Sequence, residues 1–278
     1  MIRFCGHTMG MPGKGLGACL ELLAEMGHEG VEVRCAPDGQ IDPHAWTSRL
    51  AEHARSQAGR VGVQFVCLTP YAKNYLDSGA RAAGIDLMKR TIDIACDLGS
   101  PFVRAYGGQE VPPELHEQAW SATVGGLADL CDYAAERNVT LVVETHIGTL
   151  TLTAADAAAM VDQVKRTNIG VLLDYAWVHY IGQETIDEAL TAVGARLRYL
   201  HVKDHCVIDR EQNQRRSTLM GQGEVDWPQA LTAIRSSGYD GFACDEYEKY
   251  WSKDLPPAEI GMRHNLGYLR EHLSGSRP

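Results

Sequence analysis

The sequence predicts a single closed (β/α)₈ barrel over residues 1–278. Eight short apolar runs recur at fairly even intervals, each four to six residues long as a buried strand would be. Segments with apolar residues at i, i+3, i+4 and i+7 separate them, which is the helical period. The length suits one barrel of about 250 residues plus insertions, and no Pro/Ser-rich linker divides the middle, so we read one domain.

In chain order, IRFC (2–5) is the first strand, and Leu16, Leu20, Leu23 and Ala24 mark the helix after it. GVEVR (30–34) and VQFVCL (63–68) follow, then a helix carrying Ile85, Met88, Ile92 and Ala95. FVRAY (102–106) precedes a helix with Leu127, Leu130, Cys131 and Ala134. TLVVET (140–145), IGVLLD (169–174), RYLHVK (198–203) and GFACDE (241–246) complete the set. AEMGHEG, CDLGS, AERN and SSGYDG place Gly or Asn where a helix ends in left-handed conformation before the next strand. Cys206–Asp226 reads as the longest irregular connection, a lid or substrate loop hinged at Gly221 and Gly223. A doubly wound open sheet is the competing architecture. It would place G-x-G-x-x-G after the first strand, where this chain has only Gly10, Gly13, Gly15 and Gly17.

A net charge of −10 disfavours a nucleic-acid surface, because phosphate neutralisation needs clustered Lys and Arg. The one dense basic cluster, Arg210 with Arg215 and Arg216, could receive a substrate phosphate or be plainly solvated. No apolar stretch reaches the ~20 residues of a membrane span. The first residues, MIRFCGHTMGMPGKG, carry no basic-then-apolar secretion pattern. The eight cysteines are scattered without a C-x-x-C pair, as expected of buried small hydrophobes in a reducing cytoplasm.

Four runs in the second half end on side chains able to bind a divalent metal: LVVE at Glu144, VLLD at Asp174, RYLH at His201 and FACDE at Glu246. Taken singly, each acid has a plain reading as a helix cap or an Arg partner, and His201 as a hydrogen-bonded core residue. Taken together, they fall on the rim formed by the carboxyl ends of barrel strands, where such folds hold active sites. Three carboxylates and one imidazole suit Mn²⁺, Mg²⁺ or Co²⁺ better than structural Zn²⁺. A cation so held can take a ketone oxygen and an adjacent hydroxyl, and can stabilise the enediolate formed when the α-proton leaves. His146 and Lys203 lie two residues beyond Glu144 and His201 and share their strand faces if the strands persist. His146 is then a second proton-transfer group or a loop contact. Lys203 is a grip on a substrate oxyanion or a partner of Glu246 or Asp174. His7, Tyr71, Trp177 and His179 follow strands one, three and six and are candidates to line a substrate pocket or simply to pack.

VVETH (142–146), LLDY (172–175), LHVKDH (200–205), LMGQGEVDW (219–227) and GYDGFACDE (238–246) resemble the xylose isomerase-like TIM barrels. That superfamily includes sugar phosphate isomerases and epimerases, inosose and dehydroshikimate dehydratases and endonuclease IV. The resemblance runs through essentially the whole chain. It implies one Mn²⁺, Mg²⁺ or Co²⁺ on Glu144, Asp174, His201 and Glu246, with Zn²⁺ a further option, and Glu144 and Glu246 as the two bases of an epimerase. Two positions depart from the sugar 3-epimerase pattern: Leu150 replaces a glutamate and Trp177 a histidine. VRAYGGQ (103–109) and ETHIGTLTLT (144–153) resemble instead the 3-dehydroshikimate dehydratase branch. There Arg104 would grip a carboxylate or hydroxyl and His146 would move a proton; the plain alternative for Arg104 is an ion pair with Glu32 or Glu144.

The expected protein is a metal-dependent isomerase or epimerase of a polyhydroxylated ketone or aldehyde, with a dehydratase as the alternative. A non-catalytic sugar-binding barrel would be expected to lose metal ligands, and all four are present. A repair endonuclease needs more rim histidines and a basic groove. The sequence does not fix the oligomeric state; a second copy is a candidate partner, since barrels of this kind often pair.

Overall fold

A computed structural model describes residues 2–273. β1 (Arg3–His7), α1 (Leu16–Met26), β2 (Gly30–Arg34), α2 (Ser48–Val61), β3 (Gln64–Thr69), α3 (Ser78–Leu98), β4 (Phe102–Tyr106) and α4 (His116–Ala135) form the first half. The second half runs β5 (Thr140–Glu144), α5 (Ala154–Val164), β6 (Ile169–Asp174), α6 (Tyr175–Ile181), α7 (Ile186–Val193) and β7 (Leu197–Val202). A hairpin of β8 (Asp204–Asp209) and β9 (Gln214–Thr218) follows, then α8 (Trp227–Ser236), β10 (Phe242–Asp245) and α9 (Ala258–Leu273).

Eight strands close in the order β1-β10-β7-β6-β5-β4-β3-β2, every neighbour parallel. The architecture is the (β/α)₈ barrel that the alternation of elements predicts. Gly27, Gly62 and Gly99 cap α1, α2 and α3 at positive φ (94°, 74° and 70°), which a side chain at Cβ would strain. Below the rim, Cys5, Cys67, Val142, Leu172, Tyr199 and Cys244 fill the barrel interior in contact with one another. The larger core lies between the strands and the helix ring.

Three local expectations change. β1 starts and ends later than IRFC, at Arg3–His7. β5 and β10 end at Glu144 and Asp245, so His146 and Glu246 stand on the turns beyond and strand alternation does not aim them. The first part of Cys206–Asp226 is not irregular: Asp204–Asp209 pairs antiparallel with Gln214–Thr218. The turn carries Asn213 at positive φ (52°); β9 is polar and β8 holds only the short apolar run Cys206, Val207, Ile208 without alternation, so the hydrophobic pattern carries no strand signal. Gly223 is required where this segment rejoins the rim, because a Cβ there would meet the Asp204 carboxylate at 2.0 Å. Its amide donates to Asp204 Oδ2 at 3.0 Å.

All eight cysteines are free; Cys96 is exposed, Cys206 half-buried and the other six buried. Thiol titration of the native protein should therefore show one fast site, one slow site and six protected ones, with all eight reacting after denaturation. A denatured count below eight would contradict this.

Candidate metal centre and its cavity

The carboxyl ends of β5, β6, β7 and β10 bring Glu144, Asp174, His201 and Glu246 to one point. One donor atom from each lies within 4.8 Å of all the others, and all four residues are buried. Register sets this up: Asp174 is directly opposite His201 across the β6–β7 ladder. His201 Nδ1 is 3.1 Å from Glu144 Oε1, 3.3 Å from Glu246 Oε2 and 4.0 Å from Asp174 Oδ2. Asp174 divides its two oxygens between the readings considered for it. Oδ1 caps α6 by accepting from the Trp177 amide at 3.3 Å, while Oδ2 faces the cluster. The Lys203 ammonium lies 2.7 Å from Oδ2 but off the hydrogen-bonding direction, so this buried oxygen has a charge neighbour without an aligned donor.

Behind the cluster, Glu32 on β2 reaches across the barrel to His201 Nε2 at 2.9 Å. Tyr199 donates to Glu32 Oε2 at 2.8 Å, Thr69 donates to Oε1, and His7 Nε2 stands 3.6 Å from Oε1. Glu32 can only accept while ionised, so the Nε2 proton of His201 belongs to this bond. Burial lowers the His201 pKa, but Glu32, Glu246 and Glu144 outweigh it and raise the pKa well above its ordinary value. Nδ1 therefore also carries a proton toward Glu144, at the place a metal ion would take. Glu32→Gln is expected to weaken Co²⁺ binding about 10–100-fold, as read from visible absorption of the Co²⁺-loaded protein. Unaltered affinity and spectrum would show that Glu32 does not orient the ring.

The charge count also suits a divalent ion. Glu32, Glu144, Asp174, Glu246 and Glu248 are five buried carboxylates, and Arg104, Lys203 and Arg215 are the three permanent cations paired with them. A bound ion would displace the Nδ1 proton that the surrounding carboxylates hold on His201, and with that proton gone two negative charges remain. Burial pushes the Asp174 carboxyl up to about 7, with the nearby Glu246 adding to it, although Lys203 pulls the other way. Glu144 is raised by burial too, but Arg104 at 2.8 Å and His201 outweigh that and hold it at about 2. The donor set, its charge and the unaligned Oδ2 all fit a hard divalent cation held by Glu144, Asp174, His201 and Glu246.

Above the cluster opens a cavity of about 240 Å³. Glu246 forms its floor; Arg104, Tyr71, Tyr106, His146 and Trp177 line its walls, and Arg215, Glu248 and Trp251 its mouth. Arg104 is fixed by Glu144 at 2.8 Å and the Pro70 carbonyl at 2.7 Å, and it stacks on Tyr106 and Tyr71 at 4.0 and 4.9 Å. His146 packs against Tyr106 and Trp177 and meets the Ile147 carbonyl through Nδ1 at 2.5 Å. Since a carbonyl only accepts, Nδ1 carries the proton and Nε2 keeps its lone pair. Burial lowers the His146 pKa, and Lys203 and Arg104 add to that against Glu144, so the ring is neutral near neutral pH. Lys203 takes both ion-pair partners considered for it, Asp174 and Glu246, and a third, Glu248, at 3.5 Å.

Two of the four residues expected to line a pocket fall outside the lining, as do Lys203 and Glu144. His7 is buried behind the cluster, its Nδ1 accepting from the Met9 amide at 2.9 Å. His179, on the far side of α6, faces His205 at 5.6 Å between ring centroids. Glu32 and Glu248 emerge as site residues that the strand-end pattern does not mark. An acid between two valines in an otherwise buried strand is the signal for Glu32; Glu248 sits in a charged turn and carries none.

These features define a rim-sited carboxylate–imidazole centre on a barrel. Residues 20–272 match the xylose isomerase-like TIM barrel family, and the chain belongs to it. It is 21% identical over 239 residues to a fructoselysine 3-epimerase of Shigella flexneri, covering 80% of this chain and 82% of that one. An inosose dehydratase of Geobacillus thermodenitrificans is 24% identical over 149 residues, about half of each chain (49% and 50%). The IOLI protein, solved with a zinc atom, superposes with a TM-score of 0.82 at 20% identity over 98% of both chains. Its similarity supports the fold alone. The curated relatives are enzymes, epimerases and dehydratases both.

Proposed function

We propose that this protein is a divalent-metal-dependent isomerase or epimerase that removes the proton α to a carbonyl of a polyhydroxylated small molecule. The observation that carries the reading is the meeting of Glu144, Asp174, His201 and Glu246 at one point, with Glu246 lining a sugar-sized cavity. A bound divalent ion would polarise the substrate carbonyl and spread the charge that develops as the proton leaves. Glu246 is the better placed of the two glutamate bases, because it faces the cavity while Glu144 is fully buried against Arg104. Arg104, held from two sides, positions a substrate oxygen. The rings of Tyr71 and Trp251 are the ones that could meet the C–H side of a sugar, whereas the Trp177 ring is already covered by Arg215 at 3.9 Å and Lys203 at 4.6 Å. We also infer a cytoplasmic setting with the thiols reduced. Among the described residues no helix is long and apolar enough to cross a membrane.

The test is a metal-supplemented screen against keto-sugars, their phosphates, inososes and 3-dehydroshikimate, read by ultraviolet absorbance and by α-proton exchange with solvent. Absence of exchange with every compound would defeat the reading. A dehydratase is the second reading, favoured by His146, whose free Nε2 belongs to a residue lining the cavity. His146→Ala separates the two. If two glutamates do the proton work, exchange survives with a modest loss; if His146 moves a proton, exchange and turnover fall together by about 10²–10⁴.

A further inference from the structure

We propose that the cavity selects an uncharged polyhydroxylated substrate, one with neither phosphate nor carboxylate, and that Glu248 sets this selection. The inference rests on the reading above and narrows its substrate class.

A site built for an anion leaves at least one cation unpaired, or presents several amide donors, at the place the anion will occupy. Here each cation along the cavity already has a carboxylate. Arg104 is on Glu144 at 2.8 Å and Arg215 is 3.7 Å from Glu248. Lys203 is shared among Asp174, Glu246 and Glu248. Arg34, stacked against Tyr71 near the mouth, pairs with Asp38 at 2.7 Å. An anionic substrate would have to break one of these pairs and leave a buried carboxylate alone, which is costly.

Glu248 is the cavity carboxylate outside the four-donor cluster. It is buried, and Ser217 of β9 donates to its Oε2 at 2.6 Å. Arg215, stacked on the Trp177 ring at 3.9 Å, completes the hairpin's contact with it. Its remaining lone pairs can accept from sugar hydroxyls, whereas a phosphate in the same small cavity would meet a like charge at close range. The volume of about 240 Å³ suits a single unbranched ring or chain.

The experiment compares D-fructose, D-fructose 6-phosphate and 3-dehydroshikimate on the full chain in saturating Mg²⁺. Binding is followed by tryptophan fluorescence, since Trp177 and Trp251 line the cavity. Wild type should bind fructose at least about tenfold more tightly than either anion. Glu248→Gln should narrow the gap chiefly by tightening the anions, because Arg215 and Lys203 lose a partner. Ser217→Ala, which keeps the charge, should preserve it. Equal or tighter binding of an anion by wild type overturns the inference, as does a gap unchanged in Glu248→Gln or a wild type that responds to none of the probes. Should Glu248→Gln fail to fold, the wild-type comparison still decides. Failure of the enolisation reading is distinguishable, because it would appear as fructose binding without α-proton exchange.

Discussion

Glu246→Gln is expected to abolish turnover while the protein stays folded. The substitution keeps the shape of the side chain and removes one negative charge from the point where four donors meet. It also removes the carboxylate that forms the cavity floor. Losing a general base costs about 10²–10⁴ in rate, and a weaker hold on the ion adds to that. Glu246 stands on the turn after β10, with its amide bonded to the Val202 carbonyl at 3.1 Å, so the backbone that places it does not depend on its carboxylate. Circular dichroism should match wild type, and α-proton exchange should be undetectable. A variant with full activity would refute proton abstraction at this centre.

Arg104→Met is expected to cost stability as well as activity. Arg104 and Glu144 are both essentially inaccessible, at 2% and 0% side-chain exposure, and their contact is 2.8 Å. Removing one partner of such a buried pair costs about 3–5 kcal/mol, because the other charge is left uncompensated. The loss should be larger in chelator-treated protein than with Mn²⁺ present, since a cation near Glu144 would offset part of the missing charge. Urea midpoints with and without EDTA measure both. A shift equivalent to less than about 1 kcal/mol in the metal-free protein would mean that Glu144 is neutral when buried and that the charge count above is wrong.

The architecture was legible because barrel strands are buried on both faces and read as near-continuous apolar runs, with helical periods between them. The four-donor cluster was legible for a related reason. A charged residue at the end of such a run has only the rim to occupy, so LVVE, VLLD, RYLH and FACDE locate their last residues in space as well as in sequence. Glu32 was harder to see, because its role depends on reaching a residue 169 positions away across the barrel, which no local pattern encodes. The β8–β9 hairpin was hidden because its arms carry no apolar alternation, β9 being polar and β8 having only the run Cys206, Val207, Ile208, and with it went the placement of Arg215 and Ser217 over Glu248. His179 follows Asp174 closely in sequence, yet α6 begins at Tyr175 and its helical turn carries that ring round to His205.

The cross-barrel bond from Glu32 to His201 divides labour between the two halves of the chain. All four donor residues come from Glu144 onward, whereas Glu32, which orients His201, and Arg104, which pairs with Glu144, come from before it; Lys203, the cation on Asp174 and Glu246, lies in the later half. A fragment containing only the later half would carry the donors with the imidazole free to turn and Glu144 without its cation. The affinity of an ion held by these four residues would gauge how well the two halves are docked. A substitution far from the rim that loosens the seam between β1 and β10, or between β4 and β5, would register as metal loss before it registered as unfolding.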